Sequence, residues 1–251
     1  MAAETTVCKA EQARRLAAAC EAGDLPAVQR LLQAGANAAT DGNAPLRCAA
    51  GNGHTAVVKA LLVLPLDRGV RPGADDNYAL CCAAGNGHTA VVQELLALPW
   101  DRGVRPGARD NEALRCAAEN GHTAVVKALL ALPLDRGVRP GADDNYALCC
   151  AAYHGHIAVL KELLALPWDR GVRPGARDNY TLRRAAAKGH TAVVRALLAP
   201  RAVPVPPATL ARLHSQGKVR SAYTDVRWDG TGLARARGRL LALRAVARSD
   251  S

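Results

Sequence analysis

Five histidines, His54, His88, His122, His156 and His190, recur at intervals of 34 residues, and Cys48, Cys82, Cys116 and Cys150 keep the same interval. Both residue types ligate zinc, and thiols can also pair or attack. The interval argues against a shared metal. It has the length of a helical repeat, and stacked helices lie about 8–10 Å apart. Two imidazoles on one zinc must each bring a nitrogen to about 2.0–2.1 Å. The His ladder is therefore expected to shape the turn between helices. His154 beside His156 is the one local pair, and it reads as surface chemistry with ligation as the alternative. A disulfide needs Cα atoms within about 7 Å, closer than stacked repeats allow, and no C-x-x-C occurs. Cys81-Cys82 and Cys149-Cys150 are neighbours that point about 100° apart on a helix. The eight Cys read as small, buried, reduced thiols of a cytosolic-type protein. A redox or metal role is the sharper alternative. The first serine is Ser215, so no serine nucleophile stands before it. G-x-S-x-G, H-E-x-x-H and G-x-x-x-x-G-K-[ST] are all missing. Gly230-Thr231-Gly232 lacks a third glycine and a preceding strand. No catalytic residue, no metal and no cofactor is expected.

The elements that carry these ladders are short. Leu80 to Gly85 begins a helix whose Ala83-Ala84 allow close helix approach. Gly87 stands where a left-handed residue ends such a helix. Thr89-Ala90-Val91-Val92-Gln93-Glu94-Leu95-Leu96 is a second helix, with Val91, Val92, Leu95 and Leu96 on one apolar face. Pro99 stops it, and Arg105-Pro106-Gly107 predicts a tight turn. A second period of 68 residues lies over the first: Leu66 and Leu134 alternate with Trp100 and Trp168, and Cys81 and Cys149 with Arg115 and Arg183. The composition agrees with many thin repeated contacts. Of 251 residues 49% are apolar, yet there are no Phe, 5 Tyr and 3 Trp. A thick single core leans on aromatics for buried area, and readers of single-stranded nucleic acid stack bases on them.

Ala44-Pro45-Leu46-Arg47-Cys48-Ala49-Ala50, followed by Gly53-His54, Val57-Val58 and Leu61-Leu62, resembles the ankyrin repeat, whose signature is T-P-L-H-x-A in a 33-residue unit. Gly-His, Val-Val and Leu-Leu return in all five copies, with Leu160 for the second Val of the fourth. Leu16 to Asp24, continuing through Val28, Leu31-Leu32 and Gly35-Ala36, looks like a degenerate first copy. The resemblance covers about residues 8–199. It implies an all-α ankyrin-repeat solenoid of stacked helix-turn-helix units with β-turn fingers. The signature His is Arg47, Cys81, Arg115, Cys149 or Arg183 here. In the family that His ties neighbouring turns together, so these turns must be held by something else. Three segments are expected: a capping repeat over 1–40, the array over 41–199, and a Pro-rich stop with a basic tail over 200–251.

The resemblance also implies where a partner sits: on a concave face made of turn tips and exposed first-helix positions. Those positions hold Tyr78, Arg109, Glu112, Tyr146, Tyr153, His154, Arg177, Tyr180 and Lys188. They vary while the frame repeats, as a binding face would, although neutral drift at exposed sites gives the same pattern. Tyr and Arg are favoured interface anchors, and Tyr146, Tyr153 and Tyr180 place the strongest contacts in the last two repeats. The net charge is +11, of which residues 201–251 carry +7 and residues 1–200 only +4. In the tail, Leu233, Ala236, Leu240, Leu243 and Ala247 form a stripe at helical spacing, flanked by Arg235, Arg237, Arg239, Arg244 and Arg248. It reads as a helix capping the last repeat, as a binder of nucleic acid or anionic lipid, or as a disordered basic end. The expected function is a non-catalytic interaction scaffold with a protein partner. Nucleic acid or anionic membrane, bound through the tail, is the alternative. No apolar run reaches the ~18–20 residues that span a bilayer, and the first residues lack a signal-peptide pattern. A monomeric cytoplasmic protein is expected, with the nucleus as the second compartment.

Overall fold

The computed structural model describes residues 2–64, 70–166, 170 and 172–199. Of residues 2–8, 100, 134, 144 and 176–178 only the backbone is described. The tail helix and its five arginines lie outside the described residues. Twelve α-helices and no strand occur among the described residues. In chain order they are α1 (Ala2–Ala22), α2 (Leu25–Gln33), α3 (Thr40–Gly51), α4 (Thr55–Leu62), α5 (Ala74–Gly85), α6 (Thr89–Leu96), α7 (Ala108–Glu119), α8 (Thr123–Leu130), α9 (Ala142–His154), α10 (Ile157–Leu164), α11 (Ala176–Ala187) and α12 (Thr191–Leu197). The described residues form two compact units, one within residues 2–117 and 124–138, the other within 118–123 and 139–199. In the first, α1, α3 and α5 pack in a row, each beside its own partner in a second row of α2, α4 and α6. In the second, α9 packs on α11, and α10 on α12, in the same two-row manner.

The helices form for the reasons their sequences offer. Ala83 and Ala84 are fully buried, as are Ala49 and Ala50, so the first helices approach closely. Val91, Val92, Leu95 and Leu96 are buried together. Gly87 has φ 78 and ends α5 as expected. The His ladder has a defined bond. His54 Nε2 donates to the Glu21 carbonyl at 2.9 Å, and His88 Nε2 to that of Gly51 at 2.9 Å. His156 reaches the Glu119 carbonyl and His190 the Tyr153 carbonyl, each at 2.8 Å. Each ring thus satisfies a carbonyl that the end of the preceding first helix leaves unpaired. Because the acceptor is a carbonyl, Nε2 carries the proton.

The connections between repeats hold the rest of the frame. Ala74 N–H donates to the Arg71 carbonyl at 2.9 Å, and Ala108 does the same to Arg105 at 2.9 Å, closing the Arg-Pro-Gly-Ala turns. Gly73 has φ −85 and ψ 6, a type I geometry open to any residue. Its need for glycine is steric: a Cβ there would collide with the Gly103 carbonyl of the next connection, and Gly107 stands in the same relation to Gly137. Three successive left-handed residues follow, Asp75, Asp76 and Asn77 at φ 47, 55 and 68. Such a conformation costs roughly 1–2 kcal/mol per residue, least for Asn and Asp.

Asn77 explains the strain. Its Nδ2 donates to the Arg105 carbonyl at 3.0 Å, and its Oδ1 accepts from the Arg105 N–H at 2.7 Å. Asn43 grips Arg71 in the same way at 3.2 and 3.0 Å, and Asn145 grips Arg173 at 2.9 and 2.6 Å. These Asn are only 2–4% exposed. The missing signature His is thereby replaced: a buried amide ties each connection to the next. A second tie runs through Arg102 and Arg136, whose Nη2 atoms donate to the Leu62 and Leu96 carbonyls at 3.0 and 3.1 Å. Those carbonyls end α4 and α6, where a cation also suits the helix dipole.

Candidate functional site

The exposed face of the first helices is where large side chains meet solvent. Tyr78 on α5, Tyr146 on α9 and Tyr180 on α11 are 45%, 46% and 36% exposed. They occupy one position of the repeat, so the frame that buries Leu80, Leu148 and Leu182 turns these rings outward.

In the first unit the face is internally neutralised. Arg109 binds Asp76 Oδ2 at 3.0 Å and Glu112 Oε2 at 3.6 Å. These acids push its pKa further up, the Asp76 hydrogen bond most strongly. Arg47 pairs with Asp75 Oδ2 at 3.0 Å and lies 5.5 Å from the centre of the Tyr78 ring. Of the expected contact residues, Tyr78 is open, whereas Arg109 and Glu112 already hold partners of their own.

In the second unit the arrangement differs. The Arg184 guanidinium lies 4.4 Å from the centre of the Tyr153 ring and 5.6 Å from that of Tyr180. Lys188 Nζ is 4.5 Å from the same Tyr153 ring. A hydrogen bond from Lys188, aided by the positive charge of Lys188 and then Arg184, lowers the Tyr153 pKa. His154 meets Tyr153 edge-on at 4.9 Å, stacks on His156 at 6.0 Å, and approaches Glu119 at 3.9 Å. Tyr153, His154, Tyr180 and Lys188 are therefore brought to one place. Tyr146 stands on α9 with its ring half exposed, and the Arg177 side chain lies outside the described residues. Arg184 was not anticipated. Nothing distinguishes it in the sequence from other helical arginines, and the rings it joins lie on two different helices.

Burial favours the neutral form of four thiols. None of the seven described Cys is in a disulfide. Burial is the first cause of raised pKa values at Cys20 and Cys81, both pushed up to about 12. Cys48 and Cys82 are also raised, again first by burial. Among the described residues no group of three or more His, Cys, Asp or Glu is placed to hold a metal ion. No helix among them is long and apolar enough to cross a membrane.

Comparison with known families agrees with this geometry. A family model described as ankyrin repeats (many copies) matches residues 16–62, and one described as ankyrin repeats (3 copies) matches residues 64–139. The chain belongs to the ankyrin-repeat family. This ankyrin-repeat protein carries the same Gly-His and Leu-Leu pattern on through α9–α12, beyond the matched segment. Comparison with curated proteins finds no match. Ankyrin repeats are generally protein–protein interaction modules, and proteins built from them are typically non-catalytic scaffolds.

Proposed function

We infer that this ankyrin-repeat protein is a non-catalytic scaffold that holds a protein partner on the exposed face of its first helices. The observation that carries this reading is the set of outward tyrosines, Tyr78, Tyr146 and Tyr180, repeated on a frame that needs none of them for its core. Half-exposed Tyr offers large contact area at low entropic cost. Tyr153, Arg184 and Lys188 extend the surface in the second unit, with Arg177 and His154 beside them in sequence. The test is affinity capture with the full chain and with a Tyr78→Ala/Tyr146→Ala/Tyr180→Ala variant. Partners lost from the variant support the face, and an unchanged set of partners removes it.

A second reading rests on charge. Residues 201–251 carry +7, and Arg235, Arg237, Arg239, Arg244 and Arg248 would bind nucleic acid or anionic lipid. Binding of that kind weakens steeply with added salt. Replacing these arginines by Gln separates the two readings in the same capture experiment.

A further inference from the structure

We propose that the α9–α11 surface of the second unit takes an acidic peptide segment of the partner, with Arg184 and Lys188 holding its carboxylates between the Tyr153 and Tyr180 rings. The proposal rests on the reading that this surface binds a protein, and narrows it to a chemistry.

Charge along the first helices changes sign. By sequence α5 carries −2 from Asp75 and Asp76, and α9 carries −2 from Asp143 and Asp144. Helix α11 carries +2 from Arg177, Arg183 and Arg184 against Asp178, and Lys188 follows at its end. The settings of the cations also differ. Arg47 and Arg109 are matched by carboxylates at 3.0 Å. Among the described residues neither Arg184 nor Lys188 has a carboxylate within ion-pair distance; both rest on tyrosine rings. A guanidinium over a ring face keeps its in-plane N–H donors free, in the fork that fits a carboxylate. The one acid recorded nearby, Glu119, approaches His154 instead. A docked chain would also exclude water from the rings, which strengthens each charge–charge contact. A nucleic acid fits less well. The rings on which bases would stack already carry cations.

The test uses the full chain and short random peptides displayed on phage. Selected peptides are synthesised with a fluorophore and titrated by anisotropy at about 0.15 M salt, where long-range attraction is screened. Acidic peptides are expected, losing at least about tenfold in affinity with Arg184→Gln or Lys188→Gln. Arg184→Lys should recover part of that loss. A variant with the five tail arginines changed to Gln should bind as the parent does. Circular dichroism checks that each variant is folded; both cations are surface groups. Neutral or basic peptides that are lost with Tyr153→Ala/Tyr180→Ala overturn the acidic proposal and leave the protein-binding surface standing. Acidic peptides lost only with the tail variant also overturn it. Peptides indifferent to every surface substitution overturn both readings. Oligothymidylate that binds and is lost with Arg184→Gln, while no acidic peptide is selected, replaces the proposal with a nucleic-acid site.

Discussion

Asn77 serves two ends at once: it tolerates φ 68, and it exchanges two hydrogen bonds with the Arg105 backbone. Asn77→Ala removes the partner of the Arg105 N–H, leaves the Arg105 carbonyl with only the Ala108 N–H, and keeps a left-handed residue without its local compensation. Urea unfolding should show a loss of about 2–4 kcal/mol; a loss under about 0.5 kcal/mol, the range of ordinary surface changes, would sink this role. Cys20 and Cys81 make a prediction about pH. Burial favours the neutral thiol, so both folded pKa values lie above those of the unfolded chain, at about 12. Their contribution is complete below about pH 9 and is lost as pH climbs toward the folded values. The urea midpoint should therefore fall between pH 8 and pH 10 by more in the parent than in a Cys20→Ala/Cys81→Ala variant. Equal falls would show that these thiols are not what the alkaline limit senses. The Asn ladder also marks where reading the sequence stopped short. Asn43, Asn77, Asn111, Asn145 and Asn179 occupy one place in five copies, but after Asp-Gly, Asp-Asp or Arg-Asp an Asn reads as an exposed turn residue. Its unchanged identity among varying neighbours was the available signal.

At the level of elements the connections decide more than the helices. Gly73 is conformationally ordinary, so Gly73→Ala by chain entropy alone should stabilise by about 0.4–1 kcal/mol. The Gly103 carbonyl stands where the new Cβ would go, and overpacking of that kind costs typically about 1–3 kcal/mol. Thermal unfolding is expected to show destabilisation, and a rise in Tm would mean that the two connections do not touch in solution. His88→Ala should likewise cost about 0.5–1.5 kcal/mol, the worth of one hydrogen bond, since the Gly51 carbonyl then keeps only its Asn86 Nδ2 donor. Helix pairs, the Pro-Gly turn and the Gly87 stop were legible, because periodicity and turn chemistry are local. The path from His88 to Gly51, or from Arg102 to Leu62, was not. Those contacts join residues 37 and 40 positions apart, and only stacking brings them together. The cation cluster was half legible: Tyr153, Tyr180 and Lys188 stood out by type, and Arg184 did not.

For the molecule as a whole, charge is distributed unequally, with +7 beyond residue 200 and +4 before it. Changing Arg235, Arg237, Arg239, Arg244 and Arg248 to Gln should bring elution from heparin to clearly lower salt, since each lost contact removes a released counterion. An unchanged elution point would assign polyanion affinity to the repeats. The repeats themselves have a different kind of economy. The Asn bridges grip only main-chain groups of Arg71, Arg105 and Arg173, each 28 residues downstream. Any residue other than proline could receive them. A duplicated block therefore arrives with both halves of its joint already cut to fit, and no second mutation is needed to seat it beside its neighbour. Copies within a unit become interchangeable parts, free to diverge on their exposed face, provided the distance from Asn to its receiving residue is kept. A one-residue insertion inside that span would do more harm than exchanging a whole repeat.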